Sequence, residues 1–135
     1  MAKTIVFKYI FMSVIKKAIS DLLESDKKYP PYGHDIEFYV DNHPERIYIS
    51  SGVSDGYPIY LFLEKSKLSE DQVSKLTEMK LENAKEPYLR DFKNVRIVAE
   101  IELKEDYIES LIKSIFKDVF NIRDLSEVRY NIYPI

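Results

Sequence analysis

Apolar residues recur every three or four positions in the first part of the chain. The series runs Phe7, Ile10, Phe11, Val14, Ile15, Ala18, Ile19, Leu22 and Leu23. This spacing puts all of them on one side of a helix. Because the consecutive prolines Pro30 and Pro31 cannot continue a helix, the pattern predicts an amphipathic helix over Phe7–Leu23. Met12 begins a second plausible opening, so both Met1 and Met12 stay open as the biological start.

The next part of the chain changes to short runs rich in Ile, Tyr, Phe and Val. Three such runs are Asp35–Val40, Arg46–Ser50 and Pro58–Glu64, and turn residues separate them. Within each run, aliphatic residues alternate with other residues, which is the period of a strand. Since close neighbours along the chain usually pair, we expect an antiparallel three-stranded meander.

A second helix has a clear start signal. Ser69 stands as the N-cap, and Gln72 three residues later completes a capping box. Apolar positions continue at helical spacing over Leu68–Ala84, and Pro87 follows. The sequence therefore predicts a helix that extends to the region of Ala84 and ends before this proline.

The last part of the chain predicts a strand, a helix and a further short strand. Alternation over Val95–Lys104 indicates one long strand. A helical stripe over Tyr107–Phe120 follows, with Asn121 as a left-handed C-cap, and Val128–Tyr133 is the last strand candidate. We predict a single α+β domain over residues 1–135, with an antiparallel sheet, flanking helices and the order α-β-β-β-α-β-α-(β).

Composition excludes several classes of function. Three glycines are too few for a Gly-rich phosphate loop, and the chain has no cysteine for a disulfide, a thiol nucleophile or a thiolate metal site. A net charge of −3 does not predict nucleic-acid binding. Because no stretch approaches the roughly 18–20 apolar residues of a membrane span, we expect a cytoplasmic protein without membrane association.

Catalytic and metal-binding candidates are few. His34 and His43 are the two histidines, and neither belongs to a spaced ligand cluster or a hydrolase triad. Glu102-Leu103-Lys104, with Glu100 beside it and Asp91 upstream, matches the Glu-x-Lys pattern of metal-dependent nucleases, in which carboxylates converge on a hard cation. Alternating Glu and Lys is also common on solvated strands. We predict a protein that is not an enzyme and has no metal and no cofactor.

Aromatic residues form the more informative pattern. If the aliphatic residues of the meander face the helices, the other side of the sheet carries Tyr39, Tyr48, Tyr60 and Phe62, joined by Val98. A sheet with one solvated face normally alternates apolar and polar residues. The row can be covered by a helix of the same chain, or can reflect ordinary tyrosine usage in strands. Alternatively, these four residues bind a protein partner, because tyrosine suits surfaces that are buried part of the time.

The order of elements resembles the class I type III secretion chaperones and the wider YbjN-like group of bacterial proteins. The segments that carry the resemblance are Ser13–Leu23, Asp35–Glu64, Leu68–Ala84, Val95–Leu103 and the closing helix. The resemblance implies an α-β-β-β-α-β-β-α sandwich, a homodimer and a chaperone-like role. It implies two strands between the second and third helices, where the alternation pattern predicts one.

Three functional hypotheses follow from these patterns. The first is a non-enzymatic, chaperone-like or protein-binding module that self-associates as a homodimer and binds a protein or peptide. The second is a small immunity or antitoxin protein that neutralises a basic partner through acidic residues, among them Asp35, Glu37, Asp41 and Glu45. The third is the metal-dependent nuclease.

Overall fold

The computed structural model describes residues 13–28, 33–51, 59–82, 84–102 and 104–134. The predicted helical residues Phe7–Met12, the strand residue Pro58 and Leu103 lie outside these ranges. The elements are α1 (Val14–Lys28), β1 (His34–Val40), β2 (Ile47–Ser50), β3 (Ile59–Glu64), α2 (Glu70–Glu78), β4 (Arg90–Phe92), β5 (Arg96–Ile101), α3 (Glu105–Ser114) and β6 (Val128–Pro134). Within the described ranges, none of the helices is long and apolar enough to cross a membrane.

All six strands form one antiparallel sheet in the order β4-β5-β3-β2-β1-β6. The predicted α+β class with an antiparallel sheet is therefore confirmed. β1, β2 and β3 form the expected meander, because short connections favour antiparallel neighbours. The last strand, β6, returns to pair with β1 along its whole length, from His34 opposite Pro134 to Val40 opposite Val128.

The hydrophobic core lies between one face of the sheet and the helices. α1 contributes Ile15, Ala18, Ile19 and Leu22, which are fully or almost fully buried. They share one apolar cluster with Phe38 of β1 and with the buried side of α3. Tyr130 on β6 packs near Phe38 and donates a hydrogen bond to Asp21 of α1, so the same side of the sheet holds this helix.

The second helix is shorter than predicted. Its capping box is confirmed: the backbone N–H of Gln72 donates to Ser69 Oγ at 3.1 Å, and the Ser69 N–H donates to Gln72 Oε1 at 2.9 Å. The predicted extension to Ala84 is wrong, because α2 ends at Glu78. Beyond it, Leu81 N–H donates to the Pro87 carbonyl at 2.7 Å, so the backbone bonds across a loop instead of along a helix.

The predicted long strand Val95–Lys104 is also wrong at both ends. β5 stops at Ile101, and at its other end the chain turns back and forms β4. Lys93 and Asn94 hold the two central positions of this turn with φ of 54° and 61°, as a type I′ turn requires. Val95 lies in the turn, 59% exposed, instead of on the buried side of a strand. Two strands therefore lie between α2 and α3, where sequence predicted one.

The third helix continues past its α-helical part. After Ser114 the chain makes one π-helical turn, Ile115–Val119, in which the Phe120 N–H donates to the Ile115 carbonyl at 3.0 Å. Asn121 then takes a φ of 57°, which confirms the predicted left-handed C-cap. The helix begins at Glu105, with Lys104 as N-cap, two residues before the predicted stripe.

Candidate functional site

The sheet face turned away from the helices is called the open face here. It carries Glu37, Tyr39, Tyr48, Tyr60, Phe62 and Val98 on the central strands, with Asn131 and Tyr133 on β6. None of these residues belongs to the core cluster. The strands thus bring all four sequence-predicted partner-binding residues, Tyr39, Tyr48, Tyr60 and Phe62, to one side. Among the described residues, the helical side chains of the core lie on the other side.

One row of paired residues crosses the centre of the open face. Val98 lies opposite Phe62, Phe62 opposite Tyr48, and Tyr48 opposite Glu37. The rings of Tyr48 and Phe62 stack with centroids 4.7 Å apart and an angle of 5° between their planes. The guanidinium of Arg96, on the other neighbouring strand, lies 4.4 Å from the Phe62 centroid. Phe62 is therefore 6% exposed although it is on the open face.

The β1 and β6 part of the open face is organised around one carboxylate, Glu37. It accepts hydrogen bonds from the Tyr48 hydroxyl at 2.9 Å, the Tyr133 hydroxyl at 3.2 Å and the Asn131 amide at 3.3 Å. Burial of the ring, and then the bond to Glu37, raise the pKa of Tyr48 above its ordinary value. In this part of the open face, Glu37 and the side chains around it therefore satisfy one another's hydrogen bonds.

Arginine is concentrated on the open face, a feature that the sequence analysis missed. The chain has five arginines, and four of them lie there: Arg46, Arg90, Arg96 and Arg129. Arg46 lies over the ring of Tyr39 at 5.0 Å, and Arg90 over that of Phe92 at 5.7 Å. For Arg46, Arg96 and Arg129 the signal was a place in or beside a predicted strand, at a position that alternates away from the core, whereas Arg90 gave no such signal because β4 was not predicted.

A depression of about 260 Å³ lies at the β3, β5 and β4 end of the open face. We call it the arginine–aromatic pocket. It is lined by Ser50, Tyr60, Phe62, Arg90, Phe92, Arg96 and Val98. Two of the four predicted residues, Tyr60 and Phe62, belong to it, whereas Tyr39 and Tyr48 lie toward β1 and β2. Phe92, on the strand that the sequence did not predict, is 42% exposed.

The acidic residues proposed for a nuclease do not converge. Glu100 pairs with Lys85 at 3.0 Å, and Asp91 pairs with Lys65 at 2.5 Å. Glu102 lies beyond the end of β5 and pairs with Lys104 at 3.1 Å. In the part of the chain that the structure describes, no group of three or more His, Asp or Glu residues could hold a metal ion.

The two histidines differ in exposure and in their place in the fold. His34 is buried, and its backbone N–H donates to Ser51 Oγ at 3.2 Å. His43 lies in the exposed turn after β1, with Nδ1 3.9 Å from Glu45 Oε2. His34 therefore lies at the start of β1, and His43 lies in a surface turn.

A second concavity of about 590 Å³ lies between the end of α2 and α3. Its apolar part is formed by Met79, Leu81, Tyr107, Leu111 and Val119, and charged residues of both signs surround it. Because these charges are mixed, the concavity favours no particular ligand chemistry.

No protein-family model matches the chain, and comparisons with curated proteins and with solved structures find no match either.

Proposed function

We propose that the protein is a non-enzymatic, chaperone-like protein-binding module that self-associates through the open face. The observation that carries this proposal is a sheet face with aromatic and arginine side chains, which no described helix packs against. Tyrosine, phenylalanine and arginine are enriched at protein interfaces because they combine large contact areas with directional hydrogen bonds.

The order of elements gives further support. From α1 to α3 the chain reads α-β-β-β-α-β-β-α, with β4 and β5 between the second and third helices. This is the order that the resemblance to the secretion chaperones and the YbjN-like group implies, with β6 added after α3. We place the homodimer in the cytoplasm, since a chain without cysteine fits a reducing compartment.

The immunity-protein hypothesis has less support from the structure. It needs acidic side chains that are available to a basic partner. Asp41 lies 3.3 Å from Arg129, Glu45 Oε1 accepts from Gln72, and Glu37 accepts the three hydrogen bonds described above. Three of the four proposed acids thus already have partners in the same chain.

The proposal is tested by a double substitution, Tyr39→Ser with Tyr60→Ser. Both rings are half-buried, and neither hydroxyl forms a hydrogen bond within the described residues. We expect light scattering to give twice the chain mass of 16.0 kDa for the natural sequence and the single-chain mass for the variant. The circular dichroism spectrum should be the same for both, because the core cluster does not include these residues.

Tyr107→Ser is the matched control, since Tyr107 is also half-buried but lies on the helical side. It should keep the mass of the natural protein. A natural protein that stays at 16.0 kDa at every concentration contradicts self-association. If the double variant loses the circular dichroism spectrum of the folded protein, the two tyrosines belong to the core, which contradicts self-association through the open face.

A further inference from the structure

The arginine–aromatic pocket differs from the rest of the open face in its size and shape. At about 260 Å³ it is smaller than the roughly 300–1,000 Å³ of sites for whole small molecules. It has room for one amino-acid side chain. Tyr60, Phe92 and Val98 form its apolar walls, and Ser50, Arg90 and Arg96 form its polar ones, so the pocket suits an aromatic or aliphatic group that stands beside a charged one.

The charges around the pocket leave one arginine without a carboxylate. Glu86 lies 2.9 Å from Arg90, and Glu100 lies 3.0 Å from Lys85. Arg96, by contrast, forms no ion pair with any residue in the described ranges: Glu64 lies opposite it on β3, but its guanidinium is held over the Phe62 ring instead. The pocket therefore combines apolar walls with a cation that forms no ion pair in the described ranges.

We propose that the arginine–aromatic pocket binds an acidic peptide segment of a partner protein. An aromatic or aliphatic side chain enters the pocket, and an adjacent carboxylate accepts two hydrogen bonds from Arg96. A guanidinium suits this role because its planar N–H groups match the two oxygens of a carboxylate, and stacking on a ring fixes its orientation. This inference rests on the proposed function, since it names the chemistry of a partner that binds the open face.

The surrounding charges favour a peptide over RNA. Stacked aromatic rings on a sheet also bind the bases of single-stranded RNA. However, Glu37, Glu64 and Glu100 are interleaved with the arginines on this face, and the net charge of the chain is −3. Since affinity for nucleic acid depends on neutralising successive phosphates, these carboxylates oppose it.

The test uses two short peptides that differ in one charge. They are acetyl-Ala-Phe-Asp-Ala-amide and acetyl-Ala-Phe-Asn-Ala-amide, added to the whole protein and followed by amide NMR spectra. We expect the signals of Phe62, Val98 and Phe92 to move with the Asp peptide. The Asp peptide should bind roughly three- to fivefold more tightly than the Asn peptide, as one exposed ion pair allows.

Arg96→Gln should remove this preference, so that the two peptides bind equally. Arg123→Gln is the matched control, because Arg123 is exposed and lies in the connection between α3 and β6, outside the strands that form the open face and outside the lining of the pocket. It should keep the preference of the natural protein. The spectrum of each free variant shows whether it is folded.

Three results would overturn the inference. The first is the absence of shifts at the pocket with either peptide, and the second is equal binding of both peptides by the natural protein. The third is stronger binding of an oligouridylate at the same signals, which would assign the face to RNA. Tyr60 belongs to both surfaces, so the two proposals are told apart on the natural protein. A natural protein of twice the chain mass that binds neither peptide fails the pocket alone, and one of single-chain mass that prefers the Asp peptide fails self-association alone.

Discussion

Phe62 is buried although it lies on the face of the sheet that the helices do not cover. It lies on the open face, yet Tyr48 on one neighbouring strand and Arg96 on the other cover its ring. Alternation along the strands is enough to predict that Phe62 lies on the same face as Tyr39, Tyr48 and Tyr60. Its burial depends on side chains that come from positions 14 residues before it and 34 residues after it, which no local pattern shows.

Phe62→Ala should therefore lower the free energy of unfolding by about 3 kcal/mol, as expected for a buried phenylalanine. Tyr39→Ala on the same face should cost about 1 kcal/mol, because Tyr39 is half-buried. Urea denaturation of both variants measures the difference. Equal losses would mean that Phe62 is as accessible as Tyr39 in solution.

Tyr130 shows how burial and a nearby carboxylate act on the same hydroxyl. Burial, and then the hydrogen bond to Asp21, raise the pKa of Tyr130 to about 12, above its ordinary value of about 10. The unfolded chain therefore loses this proton at lower pH than the folded protein. The stability that Tyr130 contributes is fully present below about pH 10 and is lost as the pH rises towards about 12.

Tyr130→Phe should make the free energy of unfolding less dependent on pH between about 10 and 12. Denaturant titrations at several pH values in this window measure the slope for each protein. An unchanged slope would show that the Tyr130 hydroxyl titrates in the same way in both states.

At the scale of elements, the start of α2 is visible in the sequence and its end is not. Its start depends on two residues three positions apart, Ser69 and Gln72, and was predicted correctly. Its end at Glu78 was not, because Lys80 pairs with Tyr88 in an isolated bridge. A helix start is marked by its own side chains, whereas this end depends on a segment that comes later in the chain.

Ser69→Ala should lower the free energy of unfolding by about 1 kcal/mol, since it removes the acceptor for the Gln72 N–H. Ser74→Ala is the control within the same helix, because Ser74 is exposed and its side chain caps nothing. That change should stay within about 0.5 kcal/mol. Thermal unfolding measures both, and a Ser69→Ala protein as stable as the control would contradict the role of the cap.

Among the strands, β5 was visible in the sequence and β4 was not. The alternation over β5 was visible because Ile97, Ala99 and Ile101 are buried in the core. β4 has three exposed residues and no buried set, so it has no pattern of its own to detect. Its existence depends on a turn in which both Lys93 and Asn94 adopt positive φ, and lysine is not a residue that marks such a turn.

At the scale of the whole molecule, β6 closes the edge of β1. Its partner residues are about ninety positions away in the chain, from Glu37 opposite Asn131 to Val40 opposite Val128. Val128 is 2% exposed, so the strand also contributes to the core. Long-range pairing of this kind is an outcome of the complete fold, and the sequence marked β6 as a candidate strand without its partner.

Deletion of residues 125–135 should abolish cooperative unfolding, because β1 loses its pairing on one side and the core loses Val128. Arg129→Ala changes the same strand at an exposed position and should leave the unfolding curve within about 0.5 kcal/mol. Urea denaturation followed by circular dichroism distinguishes the two. A cooperative transition in the deleted protein would show that β6 is an addition to an independent fold.

The sequence by itself determined the periodic elements: the helical stripe of α1, the capping box of α2, the alternation of β1, β2, β3 and β5, and the side of the sheet on which the tyrosines lie. These follow from spacing along the backbone, which is a local property. The tertiary structure alone decided the end of α2, the hairpin of β4 and the partner of β6. It also decided that arginines converge on the open face and that one of them is left without a carboxylate. Those features depend on residues that are distant in the chain and meet only after the sheet has formed.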